Sequence, residues 1–111
     1  TQRERTDVNC LQATGQPWKP ASLNTVKIAV DALWSSKKYC SVKASHCERI
    51  GCVDHAAVYF CNNNKKSISQ GCPYLAQYAR AIMDKCQTTN GNGGVEVAGQ
   101  AWDKENWNVF I

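Results

Sequence analysis

No stretch of this chain approaches the ~20 consecutive apolar residues that a bilayer-spanning helix needs, so no transmembrane segment is expected. It contains no Asn-x-Ser/Thr acceptor, which argues against N-glycosylation. Positive charge is thin: the net charge is +4, and Lys37-Lys38 and Lys65-Lys66 are the only adjacent basic pairs. A nucleic-acid binder concentrates far more charge on one face, so no nucleic-acid partner is expected. There is no C-x2-C pair of the kind that opens a structural zinc site, since the spacings are Cys47-x4-Cys52 and Cys61-x10-Cys72. No metal and no cofactor is therefore expected. The one glycine cluster, Gly91 to Gly94, precedes a strand-like run and lacks the helix N-terminus that would cradle phosphate.

Cysteine, by contrast, is abundant, with 7 in 111 residues. At this density in a short chain it points to an oxidising compartment and a disulfide framework. Each bridge adds roughly 2–4 kcal/mol, mainly by restricting the unfolded chain. Apolar residues make up 43%, enough for one modest core and one domain. The chain opens on the polar run Thr1 to Asp7, which we read, with the cysteines, as a mature secreted protein whose signal peptide has been removed.

Residues 1–20 are polar and irregular, carrying Gly15, Pro17 and Pro20, and read as an extended arm pinned at Cys10. From Ser22 to about Trp34, the residues Val26, Ala29, Val30, Leu33 and Trp34 fall on one helical stripe, with Ser22 or Asn24 as its cap. Lys43–Cys52 and Ala56–Cys61 are strand-like, joined at Val53-Asp54-His55. A turn centred on Asp54 places Cys47 and Cys61 seven residues to either side, where a cross-strand disulfide fits. Asn62 to Lys66 is a polar loop. Pro73 then opens a second helix, whose stripe runs Cys72, Leu75, Ala76, Ala79, Ile82, Met83, Cys86. After the turn Asn90 to Gly94, Val95, Val97, Gly99 and Ala101 share one face of a third strand. Trp107, Val109 and Ile111 share one face of a fourth, and Asp103 to Asn106 joins the two. Helix, hairpin, helix, hairpin predicts an α+β two-layer sandwich: an antiparallel sheet of about four or five strands with two antiparallel helices on one face.

Chemistry-bearing residues are few. His46 and Glu48 share a strand face, the geometry of some ribonuclease acid–base pairs, but Arg49 points the other way and His55 sits in the turn. The plainer reading is two exposed polar residues on a hairpin. A Cys/His nucleophile pair would need an electropositive, accessible thiolate, and an inert buried cysteine is the commoner outcome for an odd thiol. Of the four tryptophans, Trp34 belongs to the helix stripe and is read as core, and Trp18 lies in the arm. Trp102 and Trp107 flank the last hairpin loop, where they either pack over the sheet edge or anchor a partner. Asp54, His55, Lys65, Lys66, Trp102 and Trp107 form the candidate binding surface.

Two runs carry a resemblance: Cys47-Glu48-Arg49-Ile50-Gly51-Cys52-Val53-Asp54-His55-Ala56-Ala57-Val58-Tyr59-Phe60-Cys61-Asn62-Asn63, and the ending Gly99-Gln100-Ala101-Trp102-Asp103-Lys104-Glu105-Asn106-Trp107-Asn108-Val109-Phe110-Ile111. Both resemble small secreted cysteine-rich fungal effectors of the necrosis-inducing-factor type. These are similar in layout to the killer toxins encoded by viruses of smut fungi. The resemblance covers residues 20–111 and implies a single killer-toxin-like α+β domain there, with residues 1–20 as the arm. It also implies disulfides Cys10–Cys86 and Cys40–Cys52; adding Cys47–Cys61 leaves Cys72 unpaired. The function it implies is a secreted, non-catalytic effector that binds in the plant apoplast. The alternatives are an antifungal toxin acting on membranes or ion channels of competitors and, from another class, a small secreted ribonuclease. The expected partner is a host or competitor cell-surface component, met by a monomer.

Overall fold

The structure, a computed structural model, describes residues 5–10, 21–53, 56–89 and 94–111. Its elements in chain order are β1 (Arg5–Cys10), β2 (Ala21–Ser22), α1 (Leu23–Ser35), β3 (Tyr39–Val42), β4 (His46–Val53), β5 (Ala56–Asn62), β6 (Ile68–Gly71), α2 (Cys72–Lys85), β7 (Gln87–Thr89), β8 (Val95–Val97), β9 (Gly99–Asp103) and β10 (Trp107–Phe110). A five-stranded antiparallel sheet runs β1-β9-β10-β5-β4. Both helices pack on one face of it, α1 over β4 and β5, α2 over β1, β9 and β10. A three-stranded sheet, β2-β8-β7, and a two-stranded one, β3-β6, complete the α+β architecture.

Each helix follows its apolar stripe. In α1, Val26, Ala29, Val30 and Leu33 are buried. Ser22 stands at the N-cap but makes no side-chain cap bond, so α1 is held by packing rather than by its ends. Trp34 departs from the stripe: it is 42% exposed, with the Arg80 guanidinium lying over its ring at 4.3 Å. Trp34 stands ~100° round the helix from Leu33 and ~40° from Val30, at the edge of the buried stripe, where its ring meets Arg80 of α2. In α2 every residue of the expected stripe is buried, and Tyr78 joins them. Pro73 lies in the first turn, where its missing N–H leaves no bond unmade.

The β4–β5 hairpin pairs Val53 with Ala56 and Cys52 with Ala57. That register alone would set Cys47 opposite Asn62. A bulge between Arg49 and Gly51 absorbs one residue and brings Cys47 opposite Cys61, where the disulfide forms. The Cys47–Cys61 pairing is therefore present, reached through a bulge rather than a turn centred on Asp54.

Cys10–Cys86 is also present and ties β1 to the end of α2. Residues 5–10 of the segment read as an arm thus form an edge strand of the main sheet along β9, while residues 11–20 lie outside the described residues. The third bridge is Cys40–Cys72, not Cys40–Cys52. The cause is the β3–β6 ribbon. Tyr39 pairs with Gly71 and Cys40 with Gln70, and the Cys72 N–H donates to the Lys38 carbonyl at 3.0 Å. The chain entering α2 is thereby laid beside Cys40, with the two Cα atoms 5.2 Å apart. Cys72 is consequently bridged, and the thiol outside the three disulfides is Cys52, exposed on β4.

The third strand is split. Val95–Val97 pairs with β2 and β7, while Gly99–Asp103 belongs to the main sheet. Gly99 sits at the corner because a Cβ there would stand 2.7 Å from the Asn9 carbonyl oxygen and 3.0 Å from Cys86 Sγ. Paired bonds between Gly99 and Ile111, at 3.2 and 3.0 Å, close the corner against the C-terminal strand. Trp107, Val109 and Ile111 share the buried face, as their alternation predicts.

Candidate functional site

The end of the sheet where β5 leaves and β10 enters is built from asparagines. Asn62 closes β5 with its side chain fully buried. Its Nδ2 donates to the Lys66 carbonyl at 2.7 Å and reaches the Val42 and Lys43 carbonyls at 3.4 and 3.3 Å. Its Oδ1 accepts from the Asn64 backbone N–H at 2.8 Å and from Asn64 Nδ2 at 3.0 Å. Asn64 Nδ2 also donates to the Glu105 carbonyl at 2.9 Å, and Asn106 Nδ2 to the Asn63 carbonyl at 3.1 Å. One buried amide therefore fixes the Lys65-Lys66 loop, and two more lace it to the β9–β10 turn.

That turn is a three-residue connection, since Trp107 pairs with Asp103. Asn106 takes a positive φ of 70°, a conformation asparagine tolerates better than most residues. The Asp103 carboxylate accepts from the Glu105 backbone N–H at 2.9 Å through Oδ2. Through Oδ1 it accepts from the Tyr78 hydroxyl, which lies 3.2 Å from that of Tyr74. Burial first, then these contacts with Asp103 and Tyr74, push the Tyr78 hydroxyl far above the usual tyrosine range, so it stays protonated.

Between loop and turn opens a cleft of about 490 Å³, with Lys65, Lys66, Ile68, Gln70 and Glu105 on its walls. Trp107 lies beneath it, 1% exposed, against Tyr78 at 4.8 Å and edge-on to Phe60 at 5.3 Å. Its buried indole N–H makes no hydrogen bond to any described residue. A donor left so costs about 1–3 kcal/mol relative to a paired one. The cleft thus combines two ammonium groups, one carboxylate, amides and an aromatic base: the makings of a recognition surface.

Of the residues expected to form one surface, Lys65, Lys66 and Trp107 are brought together. Trp102 is not. It alternates with the buried Ala101 and Asp103, so it sits half-buried on the sheet face away from the helices, across from Asn108. Asp54 and His55 lie outside the described residues, but Val53 and Ala56 flank them at the far end of β5 from Asn62, about 20 Å along the strand. Trp18 also lies outside the described residues. His46 and Glu48 share a face of β4, opposite Asn62 and Phe60, and both are exposed. Arg49 pairs with Tyr59 on the other face, and His46 Nδ1 contacts the Ala44 carbonyl at 2.8 Å. No residue cluster suited to holding a metal ion occurs among the described residues. Sequence reasoning passed over Asn62, Asn64, Gln70 and Glu105. The signal was there: three consecutive asparagines after a strand bring far more side-chain hydrogen-bonding capacity than a solvated turn uses.

These features define a small α+β scaffold, cross-linked by three disulfides, that presents a polar cleft at one sheet end. The chain belongs to a family described as a domain of unknown function, DUF8794, which matches residues 5–111. No curated protein and no solved structure matches it.

Proposed function

We propose that this is a secreted binding protein without chemistry of its own, and that it engages its partner through the cleft formed by Lys65, Lys66, Glu105 and Trp107. The observation that carries this reading is the asparagine network. In it a fully buried amide holds the lysine loop in place over Trp107 and beside Glu105, so the groups of the cleft are presented in a fixed arrangement. Three disulfides, spanning 76, 32 and 14 residues, favour an extracellular setting, and no helix among the described residues is long and apolar enough to cross a membrane. The resemblance to fungal effectors points to the plant apoplast as that setting and to a host surface component as partner. A ribonuclease is disfavoured because Arg49 and the His46/Glu48 pair lie on opposite faces of β4.

The test is leaf infiltration across several plant species, comparing oxidised protein, a reduced and alkylated control, and the Lys65→Glu/Lys66→Glu double variant. Cell death or an immune burst from folded wild type, lost in both controls, is the expected result. Silence in every species, together with inhibition of fungal growth on plates, would replace the effector reading with the antifungal one.

A further inference from the structure

A second cleft, of about 520 Å³, lies between the end of α1, the outer side of α2 and β1, and shares no lining residue with the first. Val8, Trp34, Arg80, Ala81, Asp84 and Lys85 line it. Its principal feature is Trp34, a large indole left 42% exposed on a helix whose buried stripe is complete without it. The ring is not loose. Arg80 lies over it at 4.3 Å and is itself held 3.7 Å from Asp31. Lys85 Nζ donates to the Val8 carbonyl at 2.8 Å, and one residue later the Cys10–Cys86 disulfide locks β1 to α2 behind the cleft.

We propose that this cleft is a carbohydrate subsite, accepting a neutral pyranose unit of an extracellular glycan. Sugars offer an apolar C–H face and a ring of hydroxyls that both donate and accept. The part of the fixed indole that Arg80 leaves exposed supplies the flat apolar surface for the first. Asp84 as acceptor, with Arg80 and Lys85 as donors, serves the second. Arg80 and Lys85 are offset by Asp84 and by Asp31 beside Arg80, so the charges nearly balance, which suits an uncharged polar ligand better than an anion or a cation. The volume falls in the range of small-ligand sites, and Val8 and Ala81 add apolar surface to the cleft beside the indole.

The test is NMR titration of the oxidised full chain with cellohexaose, laminarihexaose and chitohexaose, each to about 10 mM, with an oligogalacturonate as anionic comparator. At least one neutral hexasaccharide should shift the Trp34 indole N–H resonance and leave those of Trp102 and Trp107 in place. Trp34→Ala should weaken that binding by about tenfold or more, and Trp34→Tyr should retain most of it, since an aromatic face is what the sugar uses. Unchanged core methyl resonances establish that the variants fold. Should Trp34→Ala unfold, Asp84→Asn takes its place, with weaker binding expected. Failure of all three neutral sugars, shifts centred away from Trp34, or binding by the oligogalacturonate alone would each overturn the proposal. The last would make the cleft an anion site of Arg80 and Lys85.

Discussion

Asn62 is the residue on which the candidate site depends, and Asn62→Ala tests that directly. Three of its hydrogen bonds are short: 2.7 Å to the Lys66 carbonyl, 2.8 Å from the Asn64 backbone, and 3.0 Å from Asn64 Nδ2. The contacts to Val42 and Lys43, at 3.4 and 3.3 Å, are long and count for little. At about 1 kcal/mol net for each short bond, the loss is about 3 kcal/mol. For a domain near this size that lowers Tm by roughly 12 °C. The assay is thermal and urea denaturation with the disulfides intact, beside Asn63→Ala as control. Asn63 is exposed and joins the network through its backbone, so its replacement should stay within about 0.5 kcal/mol of wild type. Hydrogen exchange should rise at residues 63–67 in Asn62→Ala while the β9–β10 core stays protected. An Asn62→Ala protein within 1 kcal/mol of wild type, or equal losses in both variants, would refute the view that one buried amide organises this end of the sheet.

Non-reducing peptide mapping should recover Cys10–Cys86, Cys40–Cys72 and Cys47–Cys61, and a Cys40–Cys52 peptide would contradict the β3–β6 pairing. Loop entropy orders the cost of removing them as about 4.5, about 3.7 and about 3 kcal/mol for closed spans of 76, 32 and 14 residues. Double Ser variants compared by denaturation check that ranking. Gly99→Ala should cost about 1–3 kcal/mol, because the new methyl meets a backbone oxygen that cannot rotate away; a neutral effect on Tm would show that the β8–β9 corner yields. Tyr78→Phe should remove roughly 1.5–3 kcal/mol by taking a donor from the buried Asp103 carboxylate. The phenol's folded-state affinity for its proton is raised above the ordinary value of 10.0, so its contribution is complete below pH 10.0 and declines as pH rises beyond it. Stability measured from pH 8 to 11 should fall at the alkaline end in wild type and fall less in Tyr78→Phe.

What this sequence determined by itself is what depends on spacing along the chain. The Cys72–Cys86 stripe repeats with the helical period, and all its members are buried. The alternation of Trp107, Val109 and Ile111 sent one face inward, as a period of two must. Local rules reach their limit where one residue changes the outcome. Trp34 follows Leu33 in the same helix, yet is 42% exposed because it stands at the edge of the stripe. Trp102 and Trp107 flank one turn but occupy opposite faces, since the three-residue connection sets Trp107 beside Asp103 and not beside Trp102.

The tertiary structure decided everything that rests on which strand meets which. The β3–β6 ribbon joins residues nearly thirty positions apart, and neither of its short strands carries a pattern that names the other. The choice of Cys72 over Cys52 as the partner of Cys40 follows from that pairing alone. The bulge at Ile50 corrects the hairpin by one residue, a shift invisible in composition but sufficient to bring Cys47 opposite Cys61. The cleft has the same origin. Lys65 and Glu105 are forty positions apart, and they share a wall because β10 lies beside β5 in the sheet. Periodicity is written in each segment, whereas register and strand order emerge only when the segments compete for partners in the folded chain.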